Sequence, residues 1–72
     1  MGWHSLTGTE QAVACLVAEG LNNNQVAARM YISTHTAAHH LRQAFRKLGI
    51  TLRVELARVA IEHAADSAAL RN

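Results

Sequence analysis

Four stretches of the chain repeat apolar residues at helical spacing, and polar punctuation separates them. In the first, Val13, Leu16, Val17 and Gly20 follow an i, i+3, i+4, i+7 pattern that gives one apolar face. Thr7 and Glu10 stand three apart just before it. That is the spacing of a capping box, in which each side chain satisfies a free backbone donor of the first turn. Gly20 suits the left-handed residue that closes a helix. A second, short helix is predicted after the run Asn22-Asn23-Asn24, with Asn23 as N-cap and Val26, Ala27 and Met30 on one side. The third opens on Ser33 as N-cap and carries Ala37, Leu41, Ala44, Phe45 and Leu48 at i, i+4, i+7, i+8, i+11 until Gly49 stops it. The fourth is predicted from about 53 to about 65, with room to extend because no Gly or Pro follows. Leu56, Ala57, Ala60 and Ala64 form its inner face. Val54, Ile61 and Ala65 carry the apolar arc further round, interrupted by Arg58. That arc is too wide for a single neighbour.

Composition agrees with an all-α chain. Seventy-two residues allow one small domain with a modest core. Half of them are hydrophobic, alanine is frequent and proline is absent, which favours short packed helices over a sheet. The single cysteine, Cys15, rules out a disulfide framework within the chain and fits a reducing compartment; on the first helix it is expected to be a small packing residue. No stretch is long and apolar enough to span a membrane, and MGWHSL lacks the basic start and apolar run of a signal peptide, so a cytoplasmic protein is expected. Residues 1–5 are expected to be a tail, 6–66 the domain, and 67–72 a second tail or a helix extension. Whether Trp3 packs over the helices or lies in the tail is left open.

Charge changes the picture through its distribution. The net charge is only +2, but of the seven Lys and Arg residues only Arg29 precedes position 42. Once the core stripe of the third helix is subtracted, His35, Ala38, His39, Arg42 and Arg46 remain at i, i+3, i+4, i+7, i+11. Thr36, His40, Gln43 and Lys47 flank them. One stripe therefore packs inward while the opposite one offers donors, a small residue and fixed cations. A helix lying in a DNA major groove needs that division: Arg forks onto guanine, His and Gln meet base edges, and Ala touches a thymine methyl. Flanking hydroxyls, amides and cations suit phosphates. A short helix, a turn and a longer helix make a helix-turn-helix, whose second helix enters the groove. Imidazole changes charge near neutrality, so histidines facing phosphates imply tighter DNA binding on mild acidification.

Other chemistries find little support. His35 and His39 are an i, i+4 pair, but a zinc site wants three or four ligands and no Cys or carboxylate is placed to complete one. No metal is expected. There is no glycine-rich phosphate loop, no carboxylate pair within one element and no nucleophile with a base, so an enzyme is not expected, nor any cofactor or small-molecule ligand. Arg53 and Glu55 suit either structural ion pairs or DNA contacts, and for Arg53 the structural reading is preferred.

From Leu6 to about Ala64 the chain resembles the C-terminal DNA-binding domain of LuxR-type (GerE-like) bacterial transcriptional regulators. The matching residues are Leu6, Thr7 and Glu10; AEGLNNNQVA over 18–27; Ile32-Ser33; HTAAHHL over 35–41; RKLGI over 46–50; and RVELA over 53–57. HHLRQAFRKLGI followed by RVELARVA is most similar to the large actinobacterial members. The resemblance implies a four-helix fold with the third helix as recognition helix. It also implies a homodimer on double-stranded DNA, commonly formed through the fourth helix, which would account for the wide apolar arc. The dimer residues are then Val54, Ala57, Arg58, Ile61 and Ala65. Base-reading positions fall on His35, Ala38, His39 and Arg42. Phosphate positions fall on Asn24, Thr36, His40 and Lys47, with Gln25 nearby and Arg46 beside them.

This chain departs from the family pattern at three places. Asn24 stands where Lys is frequent, Ala38 where a longer polar residue is frequent, and Leu52 where Ser, Thr or Asn caps the fourth helix, leaving Thr51 as substitute cap. Fewer cations release fewer counterions, so weak binding by the isolated domain is expected. The competing expectation is a helical assembly module that uses its fourth helix and never engages DNA. Such a module has no need of His35, His39, Arg42 and Arg46 on one exposed stripe. Nothing in the chain reads as a sensor, which suggests one piece of a longer regulator.

Overall fold

The computed structural model describes the backbone of residues 2–71 and the side chains of residues 2–64. A 3-10 turn at Trp3–Ser5 precedes four helices: α1 (Gly8–Ala18), α2 (Asn23–Met30), α3 (Thr34–Leu48) and α4 (Arg53–Arg71). Among the described residues there is no strand. The all-α, four-helix architecture is the one expected.

Local chemistry accounts for where each helix starts. Thr7 and Glu10 form the capping box before α1: Thr7 N–H donates to Glu10 Oε1 at 2.9 Å, and Glu10 N–H donates to Thr7 Oγ1 at 3.1 Å. At α2 the cap is Asn22 rather than Asn23. Asn22 Oδ1 accepts from Gln25 N–H and Gln25 Oε1 accepts from Asn22 N–H, both at 2.9 Å. A second capping box existed at Asn22 and Gln25, and its two reciprocal bonds decide the start. Ser33 caps α3 by accepting from Thr36 N–H at 3.0 Å. The start of α4 corrects the expectation for Thr51: the Leu52 carbonyl opens the helix by accepting from Glu55 and Leu56 N–H, its side chain has no acceptor, and Glu55 Oε1 reaches back to Leu52 N–H at 3.0 Å.

Three helices end on a left-handed residue: Gly20 (φ +90) after α1, Tyr31 (φ 58, ψ 41) after α2 and Gly49 (φ 67, ψ 32) after α3. Each lets the next N–H reach back to a helix carbonyl, as in Leu21 to Leu16 at 3.3 Å, Ile32 to Ala27 at 3.0 Å and Ile50 to Phe45 at 3.1 Å. Glycine adopts this conformation without a Cβ clash. Tyr31 does so at a cost of about 1–3 kcal/mol, with its ring 95 % exposed. Ile32 beside it packs against the core, which holds the turn between α2 and α3.

The core is Leu6, Val13, Ala14, Val17, Val26, Ala27, Ala37, Leu41, Ala44, Leu56 and Ala60. Five of the eleven are alanine, so helices approach closely around a few larger side chains. α1 is the hub: α4 and α3 pack on it, and α2 packs mainly on α3. The Trp3–Ser5 turn packs against α3 and α4. Trp3 packs on the core and stacks on His63 with ring centroids 5.0 Å apart, and Gln11 Nε2 donates to the Trp3 and Leu6 carbonyls at 3.3 and 3.4 Å. One inner-face assignment changes. Ala64 is exposed, and so is Cys15, on the rim of a shallow groove between α1 and α4. Partial burial pushes the Cys15 thiol pKa up, and the Glu19 carboxylate adds to the rise. α4 continues past 65, while the side chain of Ala65 lies outside the described residues.

Candidate nucleic-acid interface

α2, the Tyr31–Ser33 turn and α3 form the helix-turn-helix. α3 turns Ala37, Leu41 and Ala44 inward, all buried, with Phe45 and Leu48 packed beside them. Its opposite side is open. His35, His39, Arg42 and Arg46 are exposed, and Ala38 is half-buried between them. The expected stripe is therefore one continuous surface. Arg42 and Arg46 make no hydrogen bond or ion pair with the described residues, so their guanidinium donors are available to an incoming anion. Thr36 and His40 are half-buried on the flank, and the rings of His39 and His40 meet edge to face at 5.7 Å.

The electrostatics of this face depend on what is missing from it. No Asp or Glu occurs between Glu19 and Glu55, a span that holds Arg29, Arg42, Arg46, Lys47 and Arg53. The carboxylate nearest to α3 is Glu10, and it is neutralised. Glu10 is 5 % exposed and accepts from Lys47 Nζ at 2.7 Å as well as from Thr7 N–H. Burial alone would raise its pKa. The Lys47 ammonium and the Thr7 bonds outweigh that, and the carboxyl ends below its ordinary value. Lys47 thus bridges α3 to the start of α1, and its charge is shared with Glu10 rather than left open. It differs in this from Arg42 and Arg46.

Arg53 also has a structural attachment. Its guanidinium donates to Asn23 Oδ1 at 2.9 Å and to the Leu21 carbonyl at 2.7 Å, tying the start of α4 to the first residue of α2 and the loop before it. The remaining candidates lie at the N-terminal ends of α2 and α3. Gln25 is exposed, with its carbonyl held in the α2 capping box and its amide NH2 outward of that bond. Asn24 is exposed, and its Oδ1 accepts from the Thr34 hydroxyl at 2.8 Å. Thr34 was not among the residues singled out from the sequence. Its spacing of ten from Asn24 carries no periodic signal, and the turn geometry creates the contact.

On α4, Val54 and Ile61 are 63 % and 56 % exposed, and Arg58 is exposed between them. Ala57 is turned partly toward the core. Leu52, 57 % exposed, adds to the apolar surface at the start of the helix. Among the described residues no three His, Cys, Asp or Glu side chains gather as a metal site, and no helix is long and apolar enough to cross a membrane.

The family profile described as "Bacterial regulatory proteins, luxR family" matches residues 4–60. The chain belongs to that family. A Mycobacterium bovis protein named as an HTH-type transcriptional regulator is 47 % identical over 55 residues, which is 76 % of this chain and 6 % of that protein. A nitrate/nitrite response regulator protein homolog of Haemophilus influenzae is 44 % identical over 50 residues, 69 % of this chain and 24 % of that protein. The DNA-binding transcriptional activator DevR/DosR of Mycobacterium tuberculosis is 35 % identical over 57 residues, 79 % of this chain and 26 % of that protein. The chain thus spans between a twentieth and about a quarter of the length of these relatives. No solved structure matches it at the same level.

Proposed function

We propose that this domain binds double-stranded DNA in a sequence-specific manner as the effector part of a bacterial transcriptional regulator acting in the cytoplasm. The observation that carries the reading is α3 itself: a buried Ala37, Leu41, Ala44 stripe backs an exposed stripe of His35, His39, Arg42 and Arg46, with no carboxylate in the helix-turn-helix. α3 lies in the major groove. Arg42 forks onto a base, with His35, Ala38 and His39 beside it. Asn24, Gln25, Thr36, His40 and Arg46 meet phosphates and set the register. Lys47 joins them only through the part of its charge that Glu10 leaves uncompensated. Two copies dock on two half-sites about one helical turn apart, paired through Val54, Arg58 and Ile61 of α4, with Ala57 at the margin and Ala65 continuing the stripe in sequence.

The apolar surface of Leu52, Val54 and Ile61 favours a second reading, a helical assembly module that never engages DNA. Selection from randomised duplex DNA with the purified domain separates the two. The first reading expects a two-fold repeated motif that is lost with Arg42→Ala, and an affinity that falls with salt because bound phosphates release counterions. Recovery of no motif, with no binding to any duplex at low salt, would leave the assembly reading standing.

A further inference from the structure

We infer that Thr34 is a positioning residue for DNA binding, acting through Asn24. This inference rests on the DNA-binding reading above. The two residues are ten apart in sequence and on different helices, and Thr34 Oγ1 donates to Asn24 Oδ1 at 2.8 Å. Both are exposed, so water competes for each partner and the bond contributes little to folding. Its consequence is directional. An asparagine side chain has one acceptor end and one end with two donors. With the carbonyl end tied back to the start of α3, the NH2 end points away from that bond and has no partner among the described residues.

The inventory of the surroundings says what that amide can meet. Ser33 Oγ already accepts from Thr36 N–H and lies 2.8 Å from Thr36 Oγ1. Asn22 and Gln25 accept each other's backbone N–H through their side-chain carbonyls, within α2 and its cap, which leaves their own amide NH2 groups outward as well. The Thr34 hydroxyl has a single proton, and it goes to Asn24. Among these amides, Asn24 alone is held by a side chain of α3, so its unused NH2 donors are the ones whose orientation depends on the second helix. It sits where the N-terminal ends of α2 and α3 converge, and both ends carry partial positive charge. The ligand suited to that place is an anionic oxygen, and on duplex DNA that is a backbone phosphate. Thr34 has no proton left for the phosphate, and its role is to hold the Asn24 amide in one orientation before DNA arrives. An unheld Asn24 would lose rotamer freedom on binding, which lowers affinity.

The test uses the 72-residue chain with the duplex selected as above and a scrambled duplex. Thr34→Val removes the hydroxyl while keeping the branched shape, and it should weaken binding to the selected duplex by about three- to ten-fold, the size of one hydrogen bond. Asn24→Ala should weaken it similarly, and the double variant no further. Thr34→Ser should restore affinity to within about twofold. The slope of log affinity against log salt should stay unchanged in Thr34→Val, because a neutral donor releases no counterion, whereas Arg46→Ala should make it shallower by about 0.9. Thermal midpoints of the Thr34 variants should match the parent chain. The inference is overturned if Thr34→Val binds like the parent, if the two single losses multiply in the double variant, or if Thr34→Ser fails to rescue. A parent chain that binds no duplex at low salt sinks the DNA-binding reading itself, a result distinct from any of these.

Discussion

α3 and α4 each turn a small apolar face inward, Ala37, Leu41 and Ala44 in one and Leu56 and Ala60 in the other, yet they leave different chemistry outside. Outward, α3 presents imidazoles and guanidinium groups, with no apolar side chain larger than alanine on the stripe. α4 presents Val54 and Ile61 around Arg58. The first surface is stable in water alone and gains when a polyanion replaces its counterions. The second stays in contact with water at a cost of about 25 cal/mol per Å² of apolar area, which pairing with another apolar surface would remove. On the proposed reading these are two binding faces with different driving forces, and salt should weaken one while leaving the other largely untouched.

The comparison breaks most completely in the core behind α4. Leu56 is fully buried, and Leu56→Ala should cost about 2–5 kcal/mol, a large share of the stability of so small a domain. Urea unfolding measures it, and a loss below about 1 kcal/mol would mean that the inner face of α4 is not packed as described. Next comes Glu10. Its folded pKa is lowered, so it adds stability above the ordinary carboxylate range, and that stability is lost as pH falls through the lowered value. Glu10→Gln should lose about 1.5–3 kcal/mol at neutral pH. It should also flatten the decline in thermal midpoint as pH falls below the ordinary carboxylate range. An unchanged acid limb would place the acid-sensitive group elsewhere.

Two further changes sharpen the contrast between the faces. Arg42→Ala should cost about 1–3 kcal/mol in affinity and relax selectivity at one base position; an equal loss on every sequence would move Arg42 to the phosphate group. It should leave unfolding midpoints unaltered, because Arg42 is exposed and has no partner among the described residues. Ile61→Asp acts on the other face. Affinity for a two-site duplex should drop by about tenfold, or 1.4 kcal/mol, while affinity for a single half-site holds. Equal effects on both duplexes would remove α4 from the pairing surface.

How much of this was legible depends on the range of the interaction. The starts of α1 and α3 were readable because Thr7 with Glu10, and Ser33 with its own first turn, bond over three residues, and backbone geometry brings such pairs together in any helix. Asn22 was missed because three asparagines in a row offer three caps, and the choice turns on Gln25 reaching back. Thr51 failed as a substitute cap for a related reason: the donor at Leu52 was satisfied from within α4, by Glu55. The exposed stripe of α3 was readable from period alone. Ala64 was misplaced because it lines a groove between α1 and α4, where the crossing of the two helices decides which margin stays wet.

By itself the sequence determined the four helices, their closure at Gly20 and Gly49, the inward stripe of α3 and the cationic stripe opposite it. All of these follow from the 3.6-residue repeat and from hydrogen bonds between near neighbours. Only the tertiary structure decided which polar groups stay available. It joined Lys47 to Glu10 across 37 positions, Arg53 to Asn23 and Leu21, Thr34 to Asn24, and Trp3 to His63. Helix spacing and crossing set those partners, and in this core both depend on alanines small enough to let the helices approach.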